Sequence, residues 1–219
     1  MNPDLGQARE NPDVSLPGRI RAALRDPPAI RLPDAECETR AAVTLLLAPD
    51  PVLDTDPTRS VDFEDHGVSG LFVIRAAWEG DPWSGHVALP GGRTESSDVD
   101  LVDTARREIR EETDIRLSRD TFLGRLDEIH PRSAHLPSIG VTPYVAWLPS
   151  RPQISASHEI AGHIWVPLPD LSAPERRSTL TRAEPTPRIL PTIEYAGEVI
   201  WGLTHAVIEN FLARVVRVL

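Results

Sequence analysis

Residues 86–115 read HVALPGGRTESSDVDLVDTARREIREETDI, two glycines ahead of a stretch that ends in crowded glutamates. From Asp98 to Thr113 the apolar residues Val102, Ala105 and Ile109 recur at helical spacing, with Asp98 or Asp100 placed to cap the N-terminus. At about 100° per residue, Glu108, Glu111 and Glu112 fall within roughly a 100° arc beside the apolar one. The helix can therefore dock on a sheet with its acids along one rim. Like charges at these spacings repel by roughly a few tenths of a kcal/mol per pair in water, and by more when partly buried. Clustered carboxylates are the oxygen ligands that Mg²⁺ or Mn²⁺ prefer, and a bound cation would remove the repulsion. Without the glycines, RREIREE alone would be read as a solvated, salt-bridged surface. Leu89-Pro90-Gly91-Gly92 lets the backbone turn sharply and approach a ligand just upstream of the acids. A loop that approaches phosphate and leads into a metal-binding helix is the combination that pyrophosphate hydrolysis requires.

Working outward, RAAVTLLLAP (40–49) and GLFVIRAAW (70–78) read as strands, and GHVALPGG (85–92) as a short strand broken by proline and glycine. Downstream, TFLGRLDEIH, GVTPYVAWL and EIAGHIWVPL read as three more strands and RILPTIEYAGEVIWG as a hairpin. LTHAVIENFLARVVRVL is a closing amphipathic helix with Ala206, Ile208, Leu212, Val215 and Val216 near a helical repeat. Residues 1–38 form a polar, proline-rich arm with one short helix around LPGRIRAALRD, ahead of a single domain over 39–219. Strands mixed with two principal helices indicate an α/β or α+β sandwich.

The 22 prolines are about twice the usual share of ~5%; most of the excess lies in the arm and between Pro167 and Pro191, read as loop. No apolar run reaches the ~18 residues of a membrane span, and the N-terminus lacks a basic start followed by an apolar stretch. Cys37 stands alone, so no internal disulfide is expected. These features point to a cytoplasmic protein. A net charge of −10 argues against a nucleic-acid backbone as partner, while a small phosphorylated ligand bridged by metal is compatible with it. All 23 basic residues are Arg, which excludes Schiff-base chemistry and a P-loop lysine.

The stretch GG…REIREETDI resembles the signature of the Nudix hydrolases, G-x5-E-x7-R-E-U-x-E-E-x-G-U with U aliphatic, through Arg107, Glu108, Ile109, Glu111, Glu112 and Ile115. Counting back from Arg107 puts the signature's first Glu on Val99 and its Gly on Arg93, so one extra residue separates the glycines from the helix. Its late Gly is Asp114 here. A similar longer spacing marks the branch that hydrolyses coenzyme A, and RAAVTLLL, Gly85–Gly92, VTPYVAWL, HEIAGHIWVPL and VIWGLTHAVI are similar to segments of that branch in the same order. An Arg of that branch's upstream pattern is Asp81 here.

The resemblance implies an α/β fold, an α/β/α sandwich around a mixed sheet. The reaction it implies is metal-assisted attack of water on the pyrophosphate of a nucleoside diphosphate linked to another moiety, with Mg²⁺ or Mn²⁺ as cofactor. Coenzyme A or a derivative is the favoured substrate; NADH, ADP-ribose, an oxidised nucleotide and a non-catalytic nucleotide sensor are the alternatives. Glu108 and Glu112 are implied as principal metal ligands, with Glu111 a third ligand or the partner of the attacking water. Arg107 would anchor the helix acids. Glu159 offers a base from a later loop, and Arg75, Gly91, Gly92 and Arg93 would meet the phosphates. The expected partner is this small nucleotide, with no nucleic acid and no membrane, and a homodimer is a compatible assembly. Trp83, Trp165 and Trp201 are read as packing residues, and His86 as a packed strand residue.

Overall fold

The computed structural model describes residues 15–51, 67–79, 83–131, 138–182, 187–215 and 218. Its centre is β1 (Thr39–Pro49), which runs parallel to β6 (Ile139–Trp147) along almost its whole length, from Thr39 opposite Ile139 to Leu47 opposite Trp147. On its other side β1 changes partner. Leu46 to Pro49 pair antiparallel with β2 (Val68–Arg75), whereas Ala41 to Val43 pair with β4 (Gly91–Arg93). The far end of β2 pairs with β3 (Val87–Ala88), and its outer edge with β7 (Ile160–Pro167). Strand β5 (Phe122–Arg125) closes the opposite edge against β6. Thus β1 and β2 diverge, and β3 and β4, joined through Leu89-Pro90, fill the wedge between them. That wedge holds the glycine turn at the point where the sheet opens.

Strand β1 is apolar on both sides because both faces are covered. Leu46 and Ala48 join Leu71, Ala146 and Leu148 beneath α2 (Leu101–Thr113), which contributes Ile109. Leu45 and Leu47 join Phe72, Val145 and Val166 against α1 (Leu16–Arg25) and α4 (Gly202–Val215), through Ile20, Leu24, Val207, Ile208 and Phe211. Each fully buried Leu, Ile or Phe contributes roughly 1.5–3 kcal/mol, so this doubly covered sheet is the main source of stability. The result is the expected α/β/α sandwich around a mixed sheet.

The helix expected in the N-terminal arm is α1, and Ile20 and Leu24 place it within the main core. Beyond it, Asp127 accepts from the Ile30 N–H at 2.7 Å, and Glu128 from the Leu32 N–H at 2.8 Å and from Arg40 at 2.6 Å. These carboxylates pin the connection from α1 to β1.

Two readings need correction. The proline-rich segment after Pro167 is not simply a loop. It carries α3 (Leu168–Ser172), β8 (Arg177–Arg182) and part of β9 (Arg188–Tyr195), which with β10 (Glu198–Trp201) make a second, three-stranded antiparallel sheet. Most of β8 is exposed, so no apolar alternation marks it in the sequence. The β9–β10 turn takes positive φ at Ala196 (52°) and Gly197 (86°), the hairpin geometry that matches strand twist. The second correction is the inner face of α4: Thr204, Val207, Ile208, Phe211 and Val215 are buried, while Ala206 faces solvent. Val216 lies outside the described residues, as does Asp81. No helix among the described residues is long and apolar enough to cross a membrane.

His205 of α4 is also buried, which holds its imidazole below the ordinary 6.5; Glu209 opposes this and Arg177 reinforces it. A depressed histidine favours the folded state above the unfolded value, and that contribution is lost as pH falls below 6.5. We expect His205→Phe to flatten the fall in Tm between about pH 7 and pH 5. An unchanged pH profile would show that His205 does not set it.

Candidate active site

Helix α2 begins where Asp100 accepts from the Val102 and Asp103 N–H groups at 2.9 and 3.0 Å, and it ends at Asp114, whose φ of 58° is left-handed. Ala105 and Ile109 dock it on the sheet, with Val102 half-buried. This rotation carries Glu112 inward until it is 6% exposed, while Glu111 turns to solvent. The Gly91 N–H donates to Glu112 Oε2 at 3.1 Å. Gly91 is required by the backbone, and Gly92 leaves room for the Glu108 side chain as it stands. Gly91 has a φ of 150°, and a Cβ there would strike the Ala42 carbonyl. A Cβ on Gly92 would strike the Glu108 carboxylate. The glycine turn therefore lies directly against two acids of α2.

Arg107 organises the rest. It grips Asp98 with two parallel hydrogen bonds, both 3.0 Å, and donates to Glu108 at 2.9 Å, to Glu111 at 3.1 Å and to the Arg93 carbonyl at 2.7 Å. Asp98 is fixed further by Thr104 Oγ1 and the Glu95 N–H, both at 2.9 Å. The Arg107 hydrogen bonds pull the Asp98 carboxyl down to about 2. Arg107 itself is held above its ordinary value, chiefly by Asp98. The repulsion anticipated among the three glutamates is thus met in part by an internal cation.

Glu112 has no such relief. Burial pushes its carboxyl up to about 8; the Gly91 N–H opposes this, Glu108 and Glu159 add to it, and Arg75 pulls the other way. Burial also raises Glu108, against the pull of Arg107 and with the push of Glu111 and Glu159. Glu159 is close enough to act on both because its loop is stitched to the end of α2. Ser155 and Ser157 donate backbone N–H groups to the carbonyls of Thr113 and Glu112, each at 3.1 Å, and the Glu159 carbonyl receives the Ala76 N–H at 2.9 Å.

A model of the NUDIX domain matches residues 61–188. Nudix hydrolase NudL of Yersinia pestis, itself uncharacterised, is 32% identical over 147 residues, a match spanning 66% of this chain and 72% of that one. The chain belongs to the Nudix hydrolase family. An uncharacterised protein of Schizosaccharomyces pombe, C14C4.10c, is 36% identical over 110 residues; the match spans 48% of this chain but a third (33%) of the yeast protein. The MutT/nudix family protein of Enterococcus faecalis shares the fold, with a TM-score of 0.58 at 18% identity over 85% of this chain and 65% of that one.

The fold gathers most of the candidate site residues of this Nudix chain. Glu108, Glu112, Gly91, Gly92 and Arg107 are in contact or share partners, and Arg75 and Glu159 act on Glu112 through space. Glu111 stands apart, with a side chain 46% exposed and its carboxylate between Arg107 and Arg110. Arg93 points its side chain to solvent and contributes its carbonyl to Arg107. Among the described residues no three His, Cys, Asp or Glu side chains form a ready-made metal site. The donor set nonetheless fits a hard cation: two desolvated carboxylates, with a third nearby, face a backbone cradle that a single Cβ would fill.

Asp98 is the residue whose role sequence reading missed, having been weighed only as a helix cap. Counting by the signature leads to Val99, which is 86% exposed. The extra residue moves the acid that meets Arg107 back to Asp98. Its signal was an acid nine positions before Arg107 on a loop that must return to the helix.

Of the aromatic residues, Trp165 packs half-buried under Arg151, whose guanidinium lies 5.1 Å from its ring centre, and Trp83 is 39% exposed. His86 stands edge-on to Trp201, ring centres 4.7 Å apart.

Proposed function

We propose that this Nudix chain is a metal-dependent pyrophosphohydrolase acting on a nucleoside diphosphate linked to another moiety, with coenzyme A or a derivative as the favoured substrate. The observation that carries the reading is the convergence of Glu108 and Glu112 against the Gly91–Gly92 turn, where both carboxyl groups are desolvated. Glu108 and Glu112 would hold Mg²⁺ or Mn²⁺, and Glu111 joins them only by leaving Arg107. Such a cation neutralises the pyrophosphate, lowers the pKa of water and stabilises the leaving oxygen.

The protein's own groups supply the remainder. The Gly91–Gly92 backbone allows a phosphate to approach closely, and Arg75 would receive its oxygens with its guanidinium fork, Arg93 joining only by turning in from solvent. Arg107 fixes the orientation of Glu108. Glu159 or Glu111 accepts a proton from the attacking water as the P–O bond to the bridging oxygen breaks. On coenzyme A this releases adenosine 3′,5′-bisphosphate and 4′-phosphopantetheine.

The longer spacing from glycines to helix and the segment Val199–Ile208 support coenzyme A, whereas Asp81 at the position of an expected Arg favours a substrate without the 3′-phosphate. The test is kcat/KM for coenzyme A, its dephospho form, NADH and ADP-ribose, with wild type and Asp81→Arg. We expect coenzyme A to lead and the Arg variant to gain on it selectively. A strong wild-type preference for NADH or ADP-ribose would overturn the substrate and leave the hydrolase standing.

A further inference from the structure

We propose that Arg182 and Arg188, with Trp201, form a subsite on the second sheet for a phosphate monoester that the substrate carries beyond its pyrophosphate. The inference rests on the hydrolase reading above and adds a specificity determinant to it. Arg182 and Arg188 are directly opposed in the β8–β9 ladder, so their side chains leave the same face of the sheet. Like charges placed directly opposite each other destabilise a strand pair. Both residues are exposed, and neither faces a carboxylate among the described residues. Several other surface arginines of this acidic chain do: Arg31 meets Asp34, Arg119 meets Asp100 and Arg177 meets Glu209. The Arg182–Arg188 pair is therefore a concentration of positive charge that no described carboxylate faces, in a protein of net charge −10.

Trp201 orients Arg182 and ties it to the candidate site. The Arg182 guanidinium lies over the Trp201 ring, 5.2 Å from its centre, which steers the fork by cation–π attraction. The same ring stands edge-on to His86, whose carbonyl accepts the Arg75 N–H at 3.0 Å. One aromatic contact thus links Arg182 to the residue preceding β3, in the wedge that carries the glycine turn. Two arginines leaving the same face of a strand pair can together take a phosphate monoester, whose second ionisation near pH 6 leaves it close to dianionic at neutral pH and rich in acceptors. An anion held there would also remove the Arg–Arg repulsion.

The experiment compares kcat/KM for coenzyme A and dephospho-coenzyme A in wild type, Arg182→Gln, Arg188→Gln and the double variant. Because both side chains are exposed, the variants should melt as wild type does. We expect the double variant to lose about 10- to 100-fold on coenzyme A through KM, the scale of one or two charge-assisted hydrogen bonds, with the dephospho substrate within about twofold of wild type. Equal losses on both substrates, or none on either, would overturn the subsite. Direct binding of adenosine 3′,5′-bisphosphate and of AMP separates this result from the hydrolase reading, because it needs no turnover. Selective weakening of the bisphosphate in the double variant supports the subsite even in a protein that hydrolyses neither substrate. Unchanged binding of the bisphosphate overturns it. If the variants alter affinity for inorganic phosphate alone, without separating the two nucleotides, the pair binds a free anion and the substrate assignment falls.

Discussion

Glu112→Gln should lower kcat by on the order of 100-fold or more in the presence of Mg²⁺ or Mn²⁺, while making the metal-free protein more stable at alkaline pH. The two effects have opposite signs because one group serves both. Glu112 is raised in the folded state from the ordinary 4.5 to about 8, with burial as the first cause. A carboxyl raised by folding contributes fully below its unfolded value, and that contribution is lost as pH rises through the folded one. Above about pH 8, then, the ionised side chain costs the metal-free wild type on the order of a few kcal/mol, and glutamine removes that cost. Glutamine retains an oxygen to accept the Gly91 N–H, so the glycine turn should remain in place. Thermal melts of both proteins in chelator from pH 6 to 9, alongside turnover with metal, test the pair of effects. A variant with near-normal turnover would return Glu112 to a structural role. A variant no more stable than wild type at pH 9 would show that Glu112 is not strained in the folded protein.

Replacing Arg107 should be the most damaging change to the fold of the site. Its side chain is 13% exposed and that of Asp98 is 5% exposed, so removing the guanidinium strands a nearly buried carboxylate. Such losses are on the order of 3–5 kcal/mol, and they should appear as a large fall in Tm for Arg107→Gln. Turnover should fall as well, because Glu108 and the Arg93 carbonyl lose their common donor. Asp98→Asn should be destabilising for the same reason, and the double variant should cost less than the sum of the two. The Asp98 contribution is present above the ordinary 3.8 and disappears as pH falls toward about 2, so the difference between wild type and Asp98→Asn should shrink in acid. Additive losses would show that the two residues act separately.

The helix, its capping by one of two aspartates and the placement of its acids beside the glycine turn were legible because each depends on short-range spacing along 30 residues. The central strands were legible for a similar reason: β1 is covered on both faces, so its apolar run is continuous. Strand β8 was hidden because it is solvated, and its residues are held by pairing with β9 rather than by burial. The inner face of α4 was only partly legible: Thr204 and His205 are buried there, although neither is apolar. At the site, sequence placed three glutamates on one rim but could not show that the docking angle of α2 buries Glu112 and exposes Glu111. Nor could it show that Arg107 turns back to Asp98, because that contact depends on the path of the loop between Gly92 and the helix.

The most direct test of the central claim is turnover of the nucleoside diphosphate panel with Mg²⁺ or Mn²⁺ and again in excess chelator, with products identified by mass. The account predicts two phosphate-bearing fragments from cleavage within the pyrophosphate in the presence of the cation, and none in chelator. Undiminished hydrolysis in chelator, or no hydrolysis of any member of the panel with either metal, would contradict it.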